Sequence, residues 1–261
     1  MSPPIGTSIR PREGEWWHFQ QRIINRWIRG GLIEDLGGPV LKTDLFDEAS
    51  GPHHHIEVLG SSLPPIGMDW DLGVARAAHA RLAHAGITTW LVVCDIRALP
   101  FATSSLSAAL SLSTLDHFED SESIVSSLRE LTRALYPGAR LLLTLDNPWN
   151  PEVLLRAWLP SGIVRRLRAD DFPLGRTMKP QQAERVFLDL HLEVISRDYL
   201  MHSPRYLGIR MLSWFAHMGW HGQVRSMGRL LELLEVVSRL PLSSVTGHFI
   251  AWQLEKVAEP G

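Results

Sequence analysis

The chain of 261 residues has a single cysteine, Cys94, which excludes an internal disulfide. Its place in the apolar run Trp90-Leu91-Val92-Val93-Cys94 reads as a core filler. No stretch approaches the roughly 18 uninterrupted apolar residues that a membrane span needs. Charge of one sign is also lacking: the formal net charge is −2, so there is no clustered basic excess of the kind nucleic-acid binding draws on. The basic group Arg165, Arg166 and Arg168 is local and reads as a solvated helix face. Glycine is missing after the first predicted strand, Val40 to Leu45, and none follows until Gly51. That argues against a nicotinamide dinucleotide, whose pyrophosphate needs bare backbone at a helix N-terminus. Met1 to Glu13 is proline-rich and charged, without the apolar core of a signal peptide, so a cytoplasmic location is expected.

What is present is an apolar share of 45%, enough for a full globular core, and a regular alternation of strand and helix signals. After a loose tail over 1–14, Trp16, Phe19, Ile23, Ile24, Trp27, Ile28 and Leu32 recur at helical spacing, and Gly37-Gly38-Pro39 stops that helix. Strands are expected at Val40–Leu45, Ile66–Trp70, Thr89–Cys94, Leu106–Leu112 and Arg140–Leu145. Helices are expected near Ile56–Leu63, over Leu72–Gly86, and over Ser121–Leu135 with Ser121 as its cap; Tyr136-Pro137-Gly138 reads as a turn. Beyond these, Pro151–Arg168 predicts two helical pieces, Lys179–His191 a helix and Leu192–Tyr199 a strand. About two helices fill 206–240, separated near Gly219–Gly222. In the last strand, Thr246–Lys256, Phe249, Ala251 and Gln253 alternate against Ile250, Trp252 and Leu254. The pattern predicts one α/β domain: a Rossmann-like, doubly wound, seven-stranded and mostly parallel sheet, helices on both faces, and a helical insertion before the last strand.

Two strands end in carboxylates, Asp69 and Asp95, where a parallel sheet presents its ligand-binding edge. Two acids on neighbouring strand tips suit a nucleoside, one for the ribose hydroxyls and one for the base.

The blocks Ile66-Gly67-Met68-Asp69, Asp95-Ile96-Arg97-Ala98-Leu99-Pro100-Phe101, Leu110-Ser111-Leu112-Ser113-Thr114-Leu115-Asp116-His117-Phe118 and Leu128 to Leu141 come in this order. Together they resemble class I S-adenosylmethionine-dependent methyltransferases of the type 11 kind. The resemblance implies S-adenosylmethionine as cofactor and methyl transfer to a small molecule as the activity. It divides the chain into an N-terminal helix (15–38), a cofactor-binding half (39–147) and a substrate-side half (148–261). It also implies that Asp69 accepts from the ribose hydroxyls, that Trp70 packs on adenine, and that Asp95 takes the adenine amino group with the Ile96 amide beside it. Ser113 and Thr114 would then approach the methionine part and the acceptor.

The family usually follows strand one with a glycine-rich loop, and here Lys42-Thr43-Asp44 stands instead. Side chains must then replace bare backbone. Lys42 or Thr43 is expected to hold the cofactor carboxylate and Asp44 its ammonium. The alternative is that the altered loop has lost productive binding, leaving a non-catalytic cofactor-binding or interaction module. His117, preceded by Asp116, is the candidate base, because an imidazole near pKa 6.5 can remove the acceptor's proton. His202 and His248 are weaker candidates. Metal binding is not expected: His53-His54-His55 project in diverging directions, and no second ligand cluster has zinc-type spacing. The aromatic residues Trp16, Trp17, Phe19, Trp27, Trp214, Phe215 and Trp220 read first as core. If they form a lid instead, the acceptor is a fairly apolar small molecule.

Overall fold

The computed structural model describes residues 14–32, 36–51, 55–59, 63–158 and 177–258. Its strands are β1 Val40–Thr43, β2 Ile66–Asp69, β3 Trp90–Val93, β4 Leu106–Leu112, β5 Leu135–Asp146, β6 Leu192–Leu200 and β7 Phe249–Lys256. They form one sheet in the order β3-β2-β1-β4-β5-β7-β6. The first five run parallel, and β7 lies antiparallel between β5 and β6. The helices are α1 Glu15–Gly31, α2 Phe46–Ser50, α3 Leu72–His84, α4 Ser121–Ala134, α5 Pro151–Trp158, α6 Pro180–Asp189, α7 Arg205–His217, α8 His221–Leu234 and α9 Ser243–Thr246.

Both faces of the sheet are covered, which is why its central strands are mostly apolar on both sides, with Lys42, Thr43 and Ser111 as buried exceptions. Leu141, Leu143, Ile250, Trp252 and Leu254 point to the side of α4 and α6, where they meet Leu128, Leu131 and Phe187. Leu142, Phe249 and Ala251 point to the other side, against Trp16, Phe19, Ile24 and Ile28 of α1. The two-residue period of β7 therefore sorts its side chains between two cores, as the sequence predicts. Each aromatic ring buried this way contributes roughly 2–3 kcal/mol of hydrophobic stabilisation.

Three local expectations need correction. The first helix ends at Gly31 rather than near Leu36. There it lies flat against the sheet: a Cβ on Gly31 would come within 2.6 Å of Leu142 Cδ2. The cap of α4 is Asp120, not Ser121, because its Oδ1 accepts from the Ser123 amide at 2.6 Å while its Oδ2 takes the Ser123 hydroxyl at 2.9 Å. The expected turn at Tyr136-Pro137-Gly138 belongs to β5. Leu135 pairs with Leu106, and the register then shifts so that Arg140 pairs with Ala108. Gly138 at φ +82° absorbs the extra length as a bulge, in a region where a side chain is strained. The second helical piece expected within Pro151–Arg168 lies outside the described residues.

Candidate functional site

The carboxyl ends of β1, β2 and β4 meet at one edge, and the chain there is held in unusual conformations. Asp44 after β1 has φ +61° and Ser113 after β4 has φ +47°, both in the left-handed region. Such residues cost on the order of 1 kcal/mol each and persist where the surroundings over-determine them. The surroundings are on view. The Thr43 and Thr114 hydroxyls lie 2.9 Å apart and tie β1 to β4. The Leu45 amide donates to Asp69 Oδ2 at 2.9 Å, the Asp71 amide donates to Asp69 Oδ1 at 2.9 Å, and Asp44 Oδ1 accepts from the Phe46 amide at 2.8 Å. Asp71 then caps α3 by accepting from the Gly73 and Val74 amides. Asp69 is thus the clasp between the first loop and the second.

Lys42 sits differently from expectation. It is 1% exposed, and its ammonium lies 2.7 Å from Glu48 Oε2 and donates to the Asp44 carbonyl. Burial presses its pKa down, but the carboxylates of Glu48, Asp44 and Asp47 more than offset this and hold it above the ordinary value. Its charge is spent inside the protein, where it bends the loop back on itself. Thr43, at 0% exposure, is likewise turned inward. Of the three loop residues only Asp44 retains exposure, so a cofactor carboxylate finds no cation in Lys42.

Asp44 and Asp69 then form an anionic pair. Burial, and after it the charge of Asp44, push Asp69 up to about 7, against the amide bonds from Leu45 and Asp71. Burial raises Asp44 too, while Lys42 and His117 draw it back. The exposed His117 is therefore close enough to act on Asp44, and it joins the β4 loop to the β1 loop electrostatically. Removing Asp44 relieves only the second cause on Asp69. In Asp44→Gly the Asp69 carboxyl is expected to titrate below about 7 yet remain above its ordinary 3.8, because burial persists. A carboxyl NMR titration checks this, and an unchanged value refutes the coupling.

The other predicted residues are spread around this pair. Trp70 stands next to Asp69 with 56% of its surface exposed, while Ile96 is buried in the core. Asp95 is forked by Arg97, whose Nη2 is 2.6 Å from Oδ2 and whose Nε is 3.0 Å from Oδ1. The hydrogen bonds from that guanidinium hold Asp95 below its ordinary pKa. Ser113 donates its amide to the Thr144 hydroxyl at 2.9 Å. Asp116 is not beside solvent as a catalytic partner of His117 would be. It is 4% exposed and accepts the Asp146 amide at 2.8 Å, and burial followed by the charge of Asp146 raises it well above the ordinary range.

Sequence reasoning misses Glu48 and Asp146 and ranks His248 only as a weaker candidate. Buried His248 lies 3.8 Å from Asp146 and 3.9 Å from Glu152, at the tips of β5 and β7. His202 is held by Thr246 and the Tyr199 carbonyl, both at 2.8 Å, in a structural role. A signal for Glu48 exists in retrospect, since a lysine inside an apolar strand requires a nearby acid. The triple histidine is only partly placed: His53 and His54 lie outside the described residues, and His55 Nδ1 is 2.6 Å from Asn25 Oδ1. Among the described residues no group of three or more metal-ligating side chains converges.

Residues 50–143 match a family described as a methyltransferase domain. The match begins at Ser50, beyond the Lys42-Thr43-Asp44 loop. A stretch of 126 residues is 38% identical to the mouse tRNA (carboxymethyluridine(34)-5-O)-methyltransferase ALKBH8, covering 48% of this chain and 18% of that one. The chain spans about a quarter or less of the length of the curated relatives it matches. Among solved structures, geranyl diphosphate C-methyltransferase from Streptomyces coelicolor superposes with a TM-score of 0.60 at 14% identity, over 97% of this chain and 88% of that one. A S-adenosylmethionine-dependent methyltransferase from Methanosarcina mazei superposes with a TM-score of 0.59 at 16% identity, over 89% and 98%.

Proposed function

We propose that this chain, whose residues 50–143 match a methyltransferase domain, is an active S-adenosylmethionine-dependent methyltransferase acting on a small molecule. The observation that carries this reading is the anionic pair at the tips of β1 and β2. The charge of Asp44 raises Asp69, the two being linked through the Leu45 amide on Asp69 and the Phe46 amide on Asp44, and a ligand bearing a sulfonium and an ammonium would offset that charge. The residues present fit the cofactor on these grounds even though the loop lacks glycine.

In this reading Asp69 accepts from the ribose hydroxyls through lone pairs not used by the Leu45 and Asp71 amides, since a carboxylate offers about four acceptor sites. Asp44 faces the ammonium. The exposed ring of Trp70 lies against adenine, and Asp95 takes the exocyclic amino group once Arg97 yields one oxygen. Ser113 and Thr114 line the methionine side. When bound, S-adenosylmethionine supplies an activated methyl group, so the protein's task is alignment, and positioning can provide much of the rate. His117 accepts the proton that the acceptor loses. Asp116 is a positioning group: it fixes the Asp146 amide and so the end of β5.

The near-neutral charge favours a small acceptor over RNA. The 38% identity to a tRNA methyltransferase over half the chain favours the second reading, a tRNA acceptor. Calorimetric titration with S-adenosylmethionine, S-adenosylhomocysteine and NAD is expected to give heat with the first two only. Heat with neither leaves the non-catalytic module as the correct reading. Transfer of a labelled methyl group to the small-molecule fraction of a lysate, and not to its tRNA, is the expected outcome of an acceptor screen.

A further inference from the structure

The helical insertion between β6 and β7 carries a surface that the methyl-transfer reading does not use. Over residues 205–246 eleven large apolar side chains are between 36% and 66% exposed, among them Trp214, Trp220, Leu233 and Leu242. Surfaces of this kind mark sites of association. Trp214 packs edge-on against Trp220 with ring centroids 5.2 Å apart, and both rings remain open to solvent.

The charges in the same segment are sorted. It contains five arginines and two glutamates in a chain of net charge −2. Arg210, Arg225, Arg229 and Arg239 are exposed among the apolar residues. The two acids are both engaged: Glu232 is neutralised at the surface by Arg22 at 2.8 Å, and Glu235 turns inward to accept the Met201 and His202 amides at 3.2 and 2.9 Å. The outer face is therefore cationic and apolar at once.

We propose that this insertion docks the protein on an anionic phospholipid surface. Interleaved arginine, tryptophan and leucine is the composition of helices that lie in the membrane interface, where tryptophan sits at headgroup level and arginine meets lipid phosphate. No described helix is long and apolar enough to cross a membrane, so the attachment is to one face only. RNA would use the arginines and the aromatic rings but has no use for Leu230, Leu233, Val236, Leu240 and Leu242, all exposed. Those aliphatic side chains decide for lipid. The proposal does not depend on methyl transfer.

Sedimentation of the unliganded protein with vesicles tests it. Binding is expected to vesicles of phosphatidylcholine with phosphatidylglycerol and to be much weaker with phosphatidylcholine alone. Arg225→Gln with Arg229→Gln is expected to weaken binding on the order of thirtyfold, since each basic residue near an anionic surface contributes about fivefold. Leu233→Ser with Leu242→Ser is expected to release the protein even from anionic vesicles, with an unchanged circular dichroism spectrum. Failure to bind anionic vesicles overturns the proposal, as does binding that neither double variant weakens. Capture of RNA by this face, or a dimer abolished by the same substitutions, without vesicle binding, overturns it as well.

Discussion

Asp69→Asn is expected to lower affinity for S-adenosylmethionine on the order of a hundredfold and to remove part of the unliganded protein's pH sensitivity. On the proposed assignment the first effect follows from weakened charge-assisted bonds to two ribose hydroxyls, which at about 1.5 kcal/mol each amount to a hundredfold or slightly more. The second follows from linkage. The folded-state pKa of Asp69 is about 7, raised from the ordinary 3.8 by burial and then by Asp44. A group raised in the folded state stabilises the fold fully below its unfolded pKa, and that contribution is lost as pH climbs through about 7. Between pH 5 and pH 8, chosen to bracket most of this loss, the wild type without ligand loses stability that the variant keeps. Cofactor affinity of the wild type rises over the same window, because a cationic ligand favours the ionised pair. Calorimetry at both pH values, with thermal melts of the unliganded proteins, reads both effects. An Asp69→Asn variant that binds as tightly as wild type refutes the ribose assignment; melts with parallel pH dependence refute the raised pKa.

Lys42→Met destabilises the fold by about 3–5 kcal/mol, the usual cost of stranding one partner of a buried ion pair. That is a large part of the 5–15 kcal/mol that holds a typical domain together. The stranded group is Glu48, whose side chain is 0% exposed and whose Oε1 also accepts the Ile56 amide at 3.2 Å. Adding Glu48→Gln to Lys42→Met is expected to recover most of the loss, because glutamine keeps an acceptor for that amide and carries no charge. Urea unfolding of the single and double variants gives the coupling directly. Equal midpoints for Lys42→Met and wild type show that the pair does not hold the loop.

The same residue shows how far the sequence could be read. Strand β4 is legible at both ends because Leu106–Leu112 is mostly apolar, broken only by Ser107 and Ser111, as a central parallel strand buried on both faces should be. The acid-tipped strands give Asp69 and Asp95 as edge residues, since tip position follows from the strand alone. Lys42 is misread because a lysine in a strand looks like a ligand-facing charge, and its partner Glu48 lies across a loop whose fold depends on the positive φ of Asp44. Such conformations leave no trace in hydrophobic periodicity. Nor does the bulge at Gly138, where a Tyr-Pro-Gly triplet has the chemistry of a turn and the structure uses it to reset a strand register. Asp120 outcompetes Ser121 as the cap of α4 through one residue's difference in position, below the resolution of pattern reading.

The place of β7 has a consequence for how the chain reaches this structure. β7 comes last of the strands in sequence but lies in the interior of the sheet, between β5 and β6. During N-to-C synthesis β5 therefore waits with one backbone edge open, and its apolar run Leu141-Leu142-Leu143 is a template for any passing strand. Among the described residues β7 is the strand that pairs with β6, so β6 waits for β7 before it joins the sheet. Closure joins Asp146 to Phe249 across about a hundred intervening residues, a non-local step of the kind that slows folding. The helical insertion lies within that span, so it emerges from the ribosome before the sheet beneath it is complete. Its apolar, arginine-studded face is therefore exposed before β7 completes the sheet.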